Sequence, residues 1–212
     1  MRNMSRKRRK GIVGIEAAIV MIAFVIVAAA LAFVVLNMGF FTTQRTKQAI
    51  SSGLSEATTA IEVEGTVIGH RVENGSSLDW IAIPIKLSSG QQSIDLDDSR
   101  VAISYISDQM VYSNIYAGPT TDQTYQEPST VADSLTATSR PNATIFWTVS
   151  NESPPNTVLD PGEHAVLVVK FDNNNMPSSY DTITVEIVLP SGASMTVSRQ
   201  VPVITDTIVV LG

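Results

Sequence analysis

The sequence contains no cysteine. No disulfide can therefore staple an exported domain, and no thiolate is available as a nucleophile or a metal ligand. Histidine is nearly absent as well. The two that exist, His70 and His164, stand far apart, lack a neighbouring nucleophile motif and read as surface or edge residues. There is no Gly-x-Ser-x-Gly, no P-loop and no dinucleotide fingerprint. These absences argue against an enzyme, and no cofactor is expected. Charge is missing from one region altogether: every residue from Ala17 to Leu36 is apolar.

That apolar run is twenty residues long, about the length a helix needs to cross the hydrocarbon of a bilayer. Before it stands the basic cluster Arg6-Lys7-Arg8-Arg9-Lys10-Gly11, and between the two lies Ile12-Val13-Gly14-Ile15-Glu16 with a single carboxylate. Three readings compete. The run could be a permanent membrane anchor. It could be a secretory signal cut near Ala28 to Ala32; the apolar residues that follow, Phe33-Val34-Val35-Leu36, make this a poor place to cut. Or the cut could fall before the run, after Gly11. The greasy helix then stays on the mature protein, which suits a subunit that waits in the membrane and later packs with copies of itself.

The block Lys-Gly-Ile-Val-Gly-Ile-Glu-Ala-Ala-Ile-Val-Met-Ile-Ala-Phe-Val, residues 10–25, resembles the class III signal and mature start of archaeal flagellins (archaellins). Those proteins share their logic with type IV pilins: a short basic leader, a small residue at the cut, Glu at the fifth mature position, then an unbroken apolar helix. The close resemblance covers about residues 6–40, and the remainder matches in layout. It implies cleavage by a prepilin-type peptidase between Gly11 and Ile12. It implies a structural filament subunit, with the helix in the core and the rest in an outer shell, serving swimming motility. The implied partners are copies of itself or related archaellins, the peptidase, a membrane assembly platform and an ATPase motor. In type IV pilins the residue matching Glu16 meets the N-terminal amine of a neighbour, which implies the same role here; the alternative is a Glu16 that sits solvated at the level of the lipid headgroups. Two rivals remain: an adhesive archaeal pilin with the same leader and helix, and a membrane-anchored extracellular binding module.

Lys and Arg are retained on the cytoplasmic side, so the basic leader places the N-terminus inside and the bulk of the chain outside. Nucleic acid is not an expected partner, since the basic run has no interleaved aromatics and is tied to the apolar segment. Arg2, Arg6, Lys7, Arg8, Arg9 and Lys10 leave with the leader. The 14 basic residues fall to 8 against 20 acidic ones, and the formal charge moves from −6 to −12. The exported part is acidic, which favours solubility outside the cell.

The expected fold is a long N-terminal hydrophobic helix followed by an all-β, Ig-like sandwich or barrel. The expected segments are the leader at 1–11, one helix over 12–62 and a β-domain over 63–212. Ile50, Leu54, Ala57 and Ile61 fall on one helical face and carry the helix to about Glu62. Gly14 with Ala18, and Ala28 with Ala32, are small pairs at four-residue spacing that let helix backbones approach; an Ala-rich helix produces such pairs by composition alone.

Past Gly65 the pattern changes to short runs rich in Val, Ile, Thr and aromatics, parted by Asn74-Gly75, Ser89-Gly90, Asp160-Pro161-Gly162 and Ser191-Gly192. Many short strands at regular spacing predict a sandwich or barrel. Residues 117–140 are rich in Thr, Ser and Asp and read as one long exposed loop. Three N-glycosylation sequons begin at Asn74, Asn142 and Asn151. Pro154 directly follows the third and makes it the weakest, and the resemblance strengthens the first two. Two acidic clusters, Asp95 with Asp97 and Asp98, and Asp172 with Asn173 to Asn175, could offer oxygen to a hard cation. Turn formation explains both at least as well, and no metal site is expected.

Overall fold

The computed structural model describes residues 12–58, 61–73, 75–108, 110–121, 127–190 and 194–212. The chain divides after Ser52 into two compact units.

The first unit is built on helix α1, Ile12–Thr58, 47 residues without a break. At 1.5 Å per residue it is about 70 Å long. Ala, Leu, Ile, Val, Met and Phe fill it, and no proline interrupts it. Gly39 weakens it locally, and there the Thr43 hydroxyl donates to the Gly39 carbonyl at 2.8 Å. One step further the Arg45 guanidinium rests 4.6 Å above the Phe41 ring, a cation–π contact along the helix face.

The helix stops four residues short of the expected Glu62. Strand β1, Ile61–Val63, begins instead. The reason is tertiary. Ile61 pairs with Leu87 across the sheet and is buried in the β-core, where its β-branched side chain gains more than it would on an exposed helix face.

The second unit is a sandwich. Its larger sheet contains β1, β2 (Ile68–Arg71), β3 (Leu78–Leu87), β7 (Tyr116–Thr120), β8 (Asn142–Val149), β10 (His164–Lys170) and β13 (Ile208–Val210). The order is β13-β2-β3-β10-β8-β7, with β1 also on β3. All pairs are antiparallel except β7 with β8. The smaller sheet holds β5 (Ala102–Ser107), β6 (Val111–Tyr112), β11 (Thr182–Val188) and β12 (Met195–Gln200), in the order β12-β11-β5-β6. Two short strands, β4 (Ile94–Asp95) and β9 (Val158–Leu159), form a separate ladder. The two main sheets face each other and no barrel closes.

Alternation makes the core. Ile81, Ile83, Ile85, Ile145, Trp147, Leu167 and Val169 point inward from the larger sheet. Ile103, Tyr105, Ile183, Val185, Ile187 and Val197 meet them from the smaller one. The opposite face of β3, β8 and β10 is also apolar: Trp80, Ala82, Phe146, Val166 and Val168. A short helix α2, Pro128–Ser134, lays Val131 and Ala132 on it. The reading of 117–140 as one exposed loop is therefore incorrect. Tyr116–Thr120 is a strand, and α2 is the third layer over a sheet whose residues are apolar on both faces.

Candidate assembly helix

Alpha-1 carries most of the residues singled out in the sequence, and it carries them in the open. Ile12 begins the helix, while Gly11 lies outside the described residues. Gly14, Glu16, Ala18, Ala28 and Ala32 are all exposed. At about 100° per residue, Gly14, Ala18, Ala28 and Ala32 fall within about 80° of each other around the axis, so one stripe holds both small pairs. A Cβ at Gly14 would meet nothing within 4 Å, so its own chain places no demand for a glycine there.

The apolar side chains cover the whole circumference. Phe24 is 75 % exposed, Leu36 72 % and Ile22 60 %. The stretch Gly14–Ile50 is long and apolar enough to cross a membrane, its most apolar window has a mean hydropathy of 3.3, and none of that window is buried. Each large side chain left in water forfeits about 1.5–3 kcal/mol relative to burial. A surface apolar all round requires lipid or other helices on every side.

Several polar groups of the sandwich unit are in structural use. Glu163 is buried and accepts four hydrogen bonds, from Trp147 Nε1 (3.1 Å), Ser150 Oγ (2.9 Å), the Asn151 backbone N–H (2.7 Å) and the Asp160 backbone N–H (3.0 Å). Burial pushes its carboxyl up, but the hydrogen bonds outweigh this and hold it below the ordinary range. Sequence reading missed this residue; the signal available was a buried Trp that needs an acceptor. His164 is likewise more than an edge residue. Its Nδ1 contacts Glu64 Oε2, and Lys86 lies 3.4 Å from Glu64 and 3.5 Å from Glu62. The His164 hydrogen bond holds the Glu64 carboxyl below its usual range against desolvation. His70 stacks flat on Trp80, with centroids 5.1 Å apart.

The acidic clusters are occupied by turns. Asp95 Oδ1 accepts from the Asp97 backbone N–H, Asp97 Oδ1 accepts from the Ser99 backbone N–H, and Arg100 pairs with Asp95 at 3.3 Å. Asp172 takes the Asn175 amide on both oxygens. No group of three or more His, Asp or Glu side chains among the described residues is arranged to hold a metal ion.

The sequons occupy different settings. Asn74 lies outside the described residues. Asn142 sits on β8 and donates its amide to the Thr136 carbonyl at 3.2 Å. Its sequon partner Thr144 is buried, with its hydroxyl on the Gly118 carbonyl. Asn151 is exposed on a loop, as are Glu152 and Ser153.

Residues 11–199 match the family model for archaeal-type flagellin. The protein named "Probable flagellin 1" from Aeropyrum pernix is 43 % identical over 198 residues, covering 92 % of this chain and 94 % of that protein. The structure of the archaeal flagellum of Methanospirillum hungatei aligns over 93 % of this chain and 98 % of its own, with a TM-score of 0.64 and 25 % identity. The crystal structure of the flagellin FlaB1 from Methanocaldococcus jannaschii shares the fold, with a TM-score of 0.61 at 22 % identity, over 72 % of this chain and 96 % of its own. The chain belongs to the archaeal-type flagellin family, and it is a structural subunit of a cell-surface filament.

Proposed function

We propose that the chain is made with a leader ending at Gly11, is cut by a prepilin-type peptidase, and polymerises through α1 into a helical filament that rotates for swimming. The observation that carries this reading is the helix itself, whose most apolar stretch is apolar on every side and unburied. In the precursor, lipid covers it, with the N-terminus on the cytoplasmic side. In the polymer, neighbouring helices take the place of lipid. The apolar surface thus passes from one dry environment to another. The small stripe of Gly14, Ala18, Ala28 and Ala32 lets helices approach closely. The sandwich forms the outer shell, where its acidic surface faces water. Torque and assembly energy come from a membrane platform and an ATPase partner.

Shearing cells and examining the released material by electron microscopy tests the reading. The expected result is filaments built from this chain, with a mature N-terminus of Ile-Val-Gly-Ile-Glu. Recovery only in the membrane fraction, or a start near Phe33, overturns it. Deleting the coding region tests motility: swimming should be lost while surface attachment is retained.

A further inference from the structure

From Ala17 to Phe41 one side chain alone carries a conventional hydrogen-bonding group, and it is Asn37. The helix runs through it without a break, and its carboxamide is exposed. Two of the nearby polar groups are provided for within the same helix. Thr43 spends its hydroxyl on the Gly39 carbonyl, and Arg45 lies against Phe41. Both can enter an apolar bundle with their polarity partly satisfied. Asn37 cannot, because its amide offers two donors and an acceptor that no described neighbour meets.

Asn37 lies about 30 Å along the axis from Glu16, close to the hydrocarbon thickness of a bilayer. A precursor spanning the membrane can therefore leave Asn37 at the outer headgroups, hydrated and at no cost. The demand for a partner arises only when α1 moves among other helices. Gln44, two turns further, falls on the same stripe with Phe40 and Phe41 between, so this face presents two carboxamides seven residues apart.

We infer that Asn37 sets the axial register between copies of this chain, by hydrogen-bonding its carboxamide to a carboxamide, Asn37 or Gln44, on the α1 of a second copy. The inference rests on the proposed polymerisation through α1. Apolar contacts alone fix stagger poorly, since a helix greasy on every side slides against another with little change in buried area. A single polar group within such a seam selects the offsets at which it is paired.

The test compares filaments of the full-length wild-type chain, Asn37→Leu, Asn37→Thr and Asn37→Gln by cryo-electron microscopy. The wild type should show one rise and twist. Asn37→Gln keeps the carboxamide and should retain a single symmetry. Asn37→Thr can bond to its own helix as Thr43 does, and Asn37→Leu needs no partner. Both should show a spread of rise and twist in place of one value, or lose filaments where Asn37→Gln keeps them. Single, wild-type symmetry in Asn37→Thr or Asn37→Leu overturns the register role and leaves Asn37 as a marker of the bilayer edge. A wild-type chain that forms no filaments overturns the polymerisation reading and this inference with it.

Discussion

The indole N–H of Trp147 donates to Glu163 Oε2 at 3.1 Å inside the sandwich, between two side chains that are 0 % and 2 % exposed. The same carboxylate gathers the loop that returns from β8 to β10 through Ser150, Asn151 and Asp160. One ionised group thus satisfies a core indole and shapes a surface loop. An amide in its place would point two donors at groups that are themselves donors.

Glu163→Gln should destabilise the sandwich by roughly 3 kcal/mol at neutral pH, because buried donors lose their acceptor. The pH dependence follows from the lowered carboxyl. A folded value below the ordinary 4.5 gives stability that is complete above that value and is lost as pH falls through the folded one. Urea midpoints between pH 7 and pH 2 should therefore fall less steeply in Glu163→Gln than in the wild type. Parallel slopes would show that the carboxylate is not the group being titrated.

Val131→Asp should detach α2 while leaving the main core folded. Val131 and Ala132 meet Trp80, Phe146 and Val168 on the outer face of the larger sheet, a cluster separate from the core between the sheets. Lys170 Nζ on the Ala132 carbonyl, at 2.8 Å, is the polar tether. A carboxylate will not remain in that contact unpaired. Limited proteolysis should cut within 121–141 much faster than in the wild type, at a cost of about 2–3 kcal/mol from lost burial. Far-ultraviolet circular dichroism should keep its β signal.

Glycan mapping of native filaments should find Asn151 modified and Asn142 bare. The Asn142 sequon lies in a central strand, with the asparagine amide engaged and the threonine buried. The Asn151 sequon is exposed throughout, although the following Pro154 weighs against it in sequence. Peptide mass spectrometry decides. Sugar on Asn142 would mean that modification precedes formation of β8.

The long helix is legible in the sequence because its signal is crude: no charge and no proline over many turns. The alternating strand around Val185 is legible by its period, and those around Ile83 and Leu167 by their density of Val, Ile and Leu. What fails is short or borrowed. Ile61 extends a helical spacing, yet the sheet claims it, since pairing with Leu87 is a long-range term that periodicity does not contain. Beta-4 and β9 are two residues each, too short for any pattern. Alpha-2 needs only Val131 and Ala132 to dock, so a stretch rich in Ser, Thr and Asp conceals it. The cleavage pair and the close-approach role of the small-residue stripe are expectations from motif, and Gly11 lies outside the described residues. Glu163 is not legible, because a buried carboxylate looks like any surface one until Trp147 is seen to need it.

Glu16 carries the last prediction. It stands one helical turn from Ile12, about 6 Å along the axis, exposed and without an ion pair among the described residues. A carboxylate entering an apolar bundle is costly unless a cation or hydrogen-bond donors meet it. Cleavage after Gly11 would create such a cation, the α-amino group of Ile12, which the precursor lacks. The helix N-terminus also favours a negative charge. A neighbour's new amine meeting Glu16 would make assembly sense whether the leader has been removed. On this reading Glu16→Gln is exported and cleaved normally but enters filaments less well, by roughly tenfold, since a pair at the edge of a bundle keeps some solvent. Glu16→Asp should fall between, because the charge remains and the reach is shorter. The measurement is the ratio of filament to membrane-retained mature subunit, with the N-terminus sequenced in both fractions. Wild-type incorporation of Glu16→Gln would remove charge pairing from assembly and leave Glu16 as a determinant of processing or of depth in the bilayer.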